Sequence, residues 1–179
     1  MDIEKLIEDV IEREGDYVDH PADRGGPTRF GITRSVARAA GYAGEMRDFP
    51  RTLAARLYRR DYWQKPGFDR VATRAPVLAA EMFDTGVNMG PPVAVGFLQR
   101  ALNALNRGGR DWPDMAVDGR IGPMTLAALD ALLATRGKPA EAVLVKAVEA
   151  LQGERYLALA ERRPANEAFL YGWLATRLG

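Results

Sequence analysis

The 179-residue chain carries 25 basic and 24 acidic side chains, a formal net charge of +1, and 47% hydrophobic residues. This composition predicts a globular protein with a buried core, and its balanced charge argues against a protein whose main function is to bind nucleic acid. With no cysteine and one histidine, His20, the chain excludes a disulfide framework, thiolate chemistry and a histidine-rich metal site.

The first predicted element is an amphipathic helix near the N-terminus. Its apolar stripe of Ile3, Ile7 and Val10 continues by four residues to Glu14, and Gly15 suits a left-handed helix end. An apolar setting and the negative end of the helix dipole both favour the protonated form of the Glu14 carboxyl group. We therefore expect a proton-bearing carboxyl group at the junction between this helix and the following loop.

A turn-rich segment at residues 16–33 interrupts the helical period. Aromatic and β-branched residues flank a centre rich in Gly and Pro, which predicts a small, irregular β-hairpin or an ordered loop. Asp23 lies beside Arg24 in this polar centre, where a carboxylate stays ionised. A proton donor such as Glu14 and an anionic partner are what glycosidic bond cleavage requires, and Thr28 can hold a water or a sugar hydroxyl. An ordinary helix end followed by a surface hairpin is the alternative that the spacing leaves open.

The rest of the chain is predicted to be helical. Apolar spacing typical of helices covers residues 34–41, 51–62, 76–88, 92–106, 122–135, 139–162 and 165–177. Clusters of Pro and Gly separate these segments. The expected fold class is therefore mainly α, with one small β-hairpin near residues 16–33 and a subdivision near residue 91.

The stretch EGDYVDHPADRGGPTRFGIT, residues 14–33, resembles the signature of glycoside hydrolase family 108, the N-acetylmuramidases found as phage endolysins and related bacterial muramidases. That signature reads approximately E-G-G-Y-x-x-x-P-x-D-x-G-G-x-T-x-x-G-I-T. The resemblance implies a lysozyme-like helical fold in which Glu14 is the catalytic acid. It also implies that Asp23 and Thr28 complete the catalytic set.

Two positions within this stretch depart from the family signature. Asp16 replaces the second glycine and adds a charge near the presumed acid. Arg29 stands where an asparagine or a similar residue is expected, so the sugar contacts of the hairpin are expected to differ from those of the family.

Two further segments resemble the family, and this resemblance implies a set of substrate-binding residues. LYRRDYWQKPGFDRV (57–71) is similar to the aromatic Y-x-x-x-Y-W segment of the family, and MFDTGVNMGP (82–91) to its D-x-x-V-N-x-G-P helix end. The implied substrate-binding residues are Tyr17, Arg29, Tyr62, Trp63, Asp84 and Asn88. Core packing is the alternative role for the aromatic residues, and capping of the helix end is the alternative for Asn88.

A third segment, AVDGRIGPMTLAAL (116–129), resembles the V-D-G-x-x-G-P-x-T-x-x-A-L motif of helical modules associated with peptidoglycan. The resemblance implies a catalytic muramidase region at residues 1–90. It also implies a helical, peptidoglycan-binding-like region at residues 91–179 that packs on the first.

The expected function is hydrolysis of peptidoglycan at the β-1,4 bond between N-acetylmuramic acid and N-acetylglucosamine, with no metal or organic cofactor. A lytic transglycosylase and an inactive wall-binding module are the alternatives, and a helical regulator that binds nucleic acid is disfavoured. The N-terminus lacks the pattern of a signal peptide, and no stretch is long enough to span a membrane. We therefore expect a monomer that is synthesised in the cytoplasm, passes to the periplasm by holin-dependent release or another export route, and acts there on the glycan strands.

Overall fold

The computed structural model describes residues 2–19 and 26–178. The chain divides into two compact units, Met1–Lys65 and Pro66–Gly179. Because His20 and Asp23 fall between the two described ranges, the expectations for these residues lie outside the part of the chain that the structure describes.

The first unit begins with α1 (Ile3–Glu14), which Asp2 caps by accepting a hydrogen bond from the Glu4 backbone N–H at 3.0 Å. Three two-residue strands follow, and they form an antiparallel sheet in the order β1-β2-β3. The remaining elements are α2, a 3-10 turn, α3 and a π-helical segment. In chain order after α1, the bounds are β1 (Tyr17–Val18), β2 (Thr28–Arg29), β3 (Ile32–Thr33), α2 (Arg34–Ala39), the 3-10 turn (Met46–Asp48), α3 (Arg51–Leu57) and the π-helical segment (Tyr58–Gln64).

The core of the first unit forms where α1 packs against α3. The predicted apolar face is confirmed at Ile7 and Val10, which are buried, and Ile11 extends it, whereas Ile3 is partly exposed. The sheet contributes Ile32, which is also buried. This packing fixes the C-terminal end of α1 beside the sheet.

The regular elements of the second unit are all helices among its described residues, and a loop at residues 106–122 connects two of them. Within this unit α5 packs against α4, α6 and α8, and α9 packs against α8. The largest fully buried side chains of this unit are apolar: Phe68, Leu78, Met82, Phe83, Leu98, Leu102, Leu129, Leu132 and Leu144. The helices are α4 (Phe68–Ala72), α5 (Pro76–Met89), α6 (Pro91–Leu105), α7 (Pro123–Arg136), α8 (Ala140–Arg162) and α9 (Glu167–Arg177), with a 3-10 turn at Pro164–Asn166.

The predicted fold class is confirmed, because the described chain is mainly α with one small sheet. Two details differ from the sequence prediction. The β element has three strands instead of a single hairpin, and α4 lies between residues 62 and 76, where no helix was predicted. Among the described helices, none has both the length and the apolar character needed to cross a membrane.

Candidate active site

Glu14 is the last residue of α1, and it is exposed. The apolar surroundings predicted from the stripe are therefore wrong at this position. The buried part of the stripe ends at Ile11, and the chain leaves the helix axis at Gly15, whose φ of 78° few other residues adopt easily. The Glu14 side chain consequently has one side open to solvent while its other side faces the sheet.

The turn between β2 and β3 provides the protein surface behind Glu14. Phe30 and Gly31 form this turn, with φ angles of 53° and 72°, the paired left-handed conformation typical of a two-residue hairpin. A Cβ atom added at Gly31 would lie 3.1 Å from Cγ and 3.2 Å from Oε2 of Glu14. Glycine at this position therefore lets the carboxylate approach the backbone of the turn.

Two tyrosines of the π-helical segment lie within electrostatic reach of Glu14. Burial, followed by the negative charge of Glu14, raises the pKa of the Tyr58 hydroxyl. Burial also raises the pKa of Tyr62, with smaller contributions from Asp61 and Glu14. Tyr62 remains partly exposed and can meet a ligand, whereas Trp63 is only 5% exposed. The predicted sugar contact of Trp63 therefore has no exposed ring face to support it.

Thr28, the first residue of β2, is partly exposed, and its hydroxyl donates a hydrogen bond to the Gly26 carbonyl at 3.2 Å. Since the hydroxyl proton is directed into the loop, the oxygen keeps lone pairs that can accept a hydrogen bond from a water or a sugar hydroxyl. Asp23, the third member of the predicted catalytic set, lies outside the described residues.

The two departures from the family signature pair with each other. Arg29 donates through Nε to Oδ1 of Asp16 at 2.8 Å, and its guanidinium also contacts the Arg47 carbonyl. Tyr17, on the neighbouring strand, donates its hydroxyl to Asp19 at 3.0 Å. Arg29 and Tyr17 are both partly exposed, so either side chain can contact a ligand beside the hairpin.

The other two predicted substrate contacts belong to the second unit. Asp84 pairs with Arg177 at 3.2 Å, and Asn88 donates to the Tyr156 hydroxyl at 2.6 Å. Both side chains therefore take part in contacts that join α5 to α8 and α9. Their role as substrate contacts stays a prediction.

Two residues of this site, Gly31 and Tyr58, are absent from the predicted catalytic and substrate-binding sets. Tyr58 is buried at 2% exposure, and its hydroxyl donates to the Phe30 carbonyl at 3.0 Å. The positive φ of Gly31 has a sequence signal, because Gly31-Ile32 belongs to the matched signature. No sequence pattern indicates the contact between Tyr58 and the turn, because the residues are far apart in the chain.

The fold and this site together define a lysozyme-like helical protein in which a small sheet flanks an exposed glutamate at the end of the first helix. Residues 7–90 match the family Glycosyl hydrolase 108, and residues 93–178 match the family Predicted Peptidoglycan domain. The N-terminal half of the chain is therefore similar to glycosyl hydrolase family 108, and its C-terminal half is similar to the predicted peptidoglycan domain family.

The chain is also similar to a solved structure, that of SagA from Brucella abortus. The two share 26% sequence identity with a TM-score of 0.70, over 98% of this chain and 88% of SagA. No curated protein sequence matches the chain significantly. The two family matches support a glycoside hydrolase that acts on peptidoglycan in the cell wall.

The family matches and the packing divide the chain at different places. The two family matches leave residues 91–92 between them, whereas the boundary between the two compact units lies after Lys65. The assignment of catalysis to residues 1–90 and of wall binding to residues 91–179 stays a prediction.

Proposed function

We propose that the protein is an N-acetylmuramidase that hydrolyses the β-1,4 bond between N-acetylmuramic acid and N-acetylglucosamine, with Glu14 as the general acid. The observation that carries the proposal is the position of Glu14. Its carboxylate is open to solvent on one side and lies against Gly31 of the hairpin turn on the other, within the range that matches Glycosyl hydrolase 108.

In this mechanism Glu14 protonates the glycosidic oxygen as the bond to the anomeric carbon breaks. Positive charge develops on the sugar ring at that point. Asp23 stabilises this charge or orients the attacking water, and Thr28 accepts a hydrogen bond from the same water. The direction of the Thr28 hydroxyl proton, toward the Gly26 carbonyl, supports this acceptor role.

Substrate binding involves the partly exposed side chains beside the acid. Tyr62 offers an aromatic face to a sugar ring, and Tyr17 and Arg29 offer hydrogen bonds from the hairpin side. Residues 91–179 hold the protein on the wall, which the match to the predicted peptidoglycan domain supports. Synthesis in the cytoplasm followed by holin-dependent release, as for phage endolysins, is part of the same proposal.

The test is digestion of purified peptidoglycan by the wild type, by Glu14→Gln and by Glu12→Gln. The last variant removes an exposed carboxylate from the same helix turn and serves as the matched control. Reducing ends are counted, and the muropeptide masses are measured. We expect new reducing N-acetylmuramic acid ends with the wild type and with Glu12→Gln, and a loss of at least about a hundredfold with Glu14→Gln.

Two other outcomes would replace the proposal. Products that end in anhydro-muramic acid would identify a lytic transglycosylase. Binding to the wall without cleavage by any of the three proteins would identify an inactive wall-binding module.

A further inference from the structure

Tyr58 connects the π-helical segment to the hairpin turn. It is the first residue of that segment, and π-helical turns are rare and concentrate at functional sites. The ring is buried, and the hydroxyl donates to the carbonyl of Phe30, the first residue of the turn, at 3.0 Å. A helix of the first unit is thereby tied to the backbone that lies behind Glu14.

The same hydroxyl meets Gly31, the second residue of the turn. A Cβ atom added at Gly31 would overlap the Tyr58 hydroxyl and would crowd Cγ and Oε2 of Glu14. The hydroxyl and the carboxylate therefore both lie against one backbone position. Since the Glu14 side chain lies against Gly31, a movement of the turn displaces the surface on which this side chain rests.

The chemistry of the Tyr58 hydroxyl makes it a permanent donor. Its surroundings raise its pKa, chiefly through burial and then through the charge of Glu14. The hydroxyl consequently keeps its proton throughout the range in which carboxyl groups titrate, and its bond to Phe30 persists whatever the protonation state of Glu14. The ring of Tyr62, with its centroid 5.4 Å away, packs beside it.

We infer that Tyr58 is a positioning residue for the general acid: by fixing the Phe30–Gly31 turn it holds both the Glu14 side chain and the strand that carries Thr28 in reactive geometry. The inference rests on the proposed role of Glu14. Tyr58 itself is too deeply buried to touch substrate, so its removal should affect the chemical step and leave binding largely intact.

The first experiment compares Tyr58→Phe with Tyr42→Phe. Tyr42 is the matched control, because its hydroxyl also donates to a backbone carbonyl of the first unit, that of Glu45 at 2.9 Å. Kinetics are measured on solubilised peptidoglycan glycan strands and normalised to the folded fraction by circular dichroism. We expect kcat of Tyr58→Phe to fall about tenfold with KM changed less than about twofold, because small misplacement of reacting groups lowers the rate steeply. Tyr42→Phe should match the wild type, and equal kcat values for the two variants would overturn the inference.

The second experiment tests the contact from the glycine side. Gly31→Ala places a methyl group against the Tyr58 hydroxyl, whereas Gly41→Ala, at a similar φ of 85°, meets no atom within 4 Å. The second substitution therefore measures backbone strain alone. We expect kcat to fall at least about tenfold further in Gly31→Ala than in Gly41→Ala. Equal kcat values for Gly31→Ala and Gly41→Ala would refute the inference even if Tyr58→Phe folds poorly.

The combined variant Tyr58→Phe/Gly31→Ala shows whether the two positions act through one contact. Residues in contact give non-additive effects, so the loss in kcat should be smaller than the product of the two single losses. A simple product would contradict the inference. Glu14→Gln is assayed in parallel to distinguish failure of the proposed function from failure of the positioning role of Tyr58. If it keeps wild-type activity the proposed function fails, whereas an inactive Glu14→Gln beside a fully active Tyr58→Phe refutes the positioning role alone.

Discussion

Glu81 gives the second unit a predictable dependence of stability on pH. Its carboxyl group lies on α5, where Thr85 donates to it at 3.3 Å, and it is near the carboxyl groups of Asp84 and Glu149. Burial is the main cause that raises the pKa of Glu81 from 4.5 to about 7, and the charges of Asp84 and Glu149 add to it. Tyr156, on α8, lies within electrostatic reach of the same group.

The sign of the effect follows from the direction of this shift. Between pH 4.5 and about 7 the folded protein binds more protons at Glu81 than the unfolded chain does, so the free energy of unfolding falls as the pH rises. A rise in pKa from 4.5 to about 7 corresponds to about 3 kcal/mol. Partial exposure of the side chain lowers this to about 2 kcal/mol. The full cost is present above pH 7 and absent below about pH 4.5.

The variant Glu81→Gln removes the ionisation and keeps an oxygen that accepts from Thr85. Urea unfolding of the full chain at pH 4.5 and at pH 8, followed by tryptophan fluorescence, gives the free energy of unfolding. We expect Glu81→Gln to equal the wild type at about pH 4.5 and to be more stable by about 2 kcal/mol at pH 8. Glu154→Gln, on the exposed face of α8, is the matched control and should follow the wild type at both pH values. A Glu81→Gln variant with the same stability difference at both pH values would refute the reasoning.

Two further predictions concern stability. Gln99 is 2% exposed, its amide donates to Asp118 at 2.8 Å, and it accepts from the Gly119 backbone N–H at 3.0 Å. Gln99→Leu should therefore lower the free energy of unfolding, measured in urea, by about 2 to 3 kcal/mol. A loss under about 0.5 kcal/mol would contradict a stabilising role for these buried hydrogen bonds. The Asp16–Arg29 pair is different, because Asp16 is 72% exposed. A double-mutant cycle with Asp16→Asn and Arg29→Gln should give a coupling of about 0.5 kcal/mol, and a value above about 2 kcal/mol would show a much stronger pair.

The helices could be predicted because their apolar stripes are local patterns. The segment at residues 139–162, for example, differs from α8 by one residue at its start. The helix α4 was missed because its five residues are too few to show a period. The hairpin region was recognised from its turn residues, but strands of two residues carry no alternation that would reveal their number.

The surroundings of the site depend on contacts between distant residues, and these could not be predicted. Helical spacing predicts which face of α1 carries Glu14. It does not show how far along the helix that face is buried. The Tyr58 hydroxyl bonds to the Phe30 carbonyl, 28 residues earlier in the chain. Phe30 itself has a left-handed φ of 53°, which few residues of its type adopt, and no propensity indicates it. The guanidinium of Arg29 lies 4.9 Å from the centre of the Phe30 ring in this conformation.

The π-helical segment at Tyr58–Gln64 affects how this chain is aligned with its relatives. Its hydrogen bonds span five residues, as in the bond from the Lys65 N–H to the Arg60 carbonyl at 2.9 Å, so it holds one residue more than an α-helix of the same path. A relative with a regular α-helix there would be one residue shorter. An alignment that omits this gap would still match Tyr58 to the corresponding residue of the relative. It would, however, match Trp63 to a residue whose side chain points in another direction. Residue numbers beyond this segment are therefore transferred safely only after its backbone has been compared.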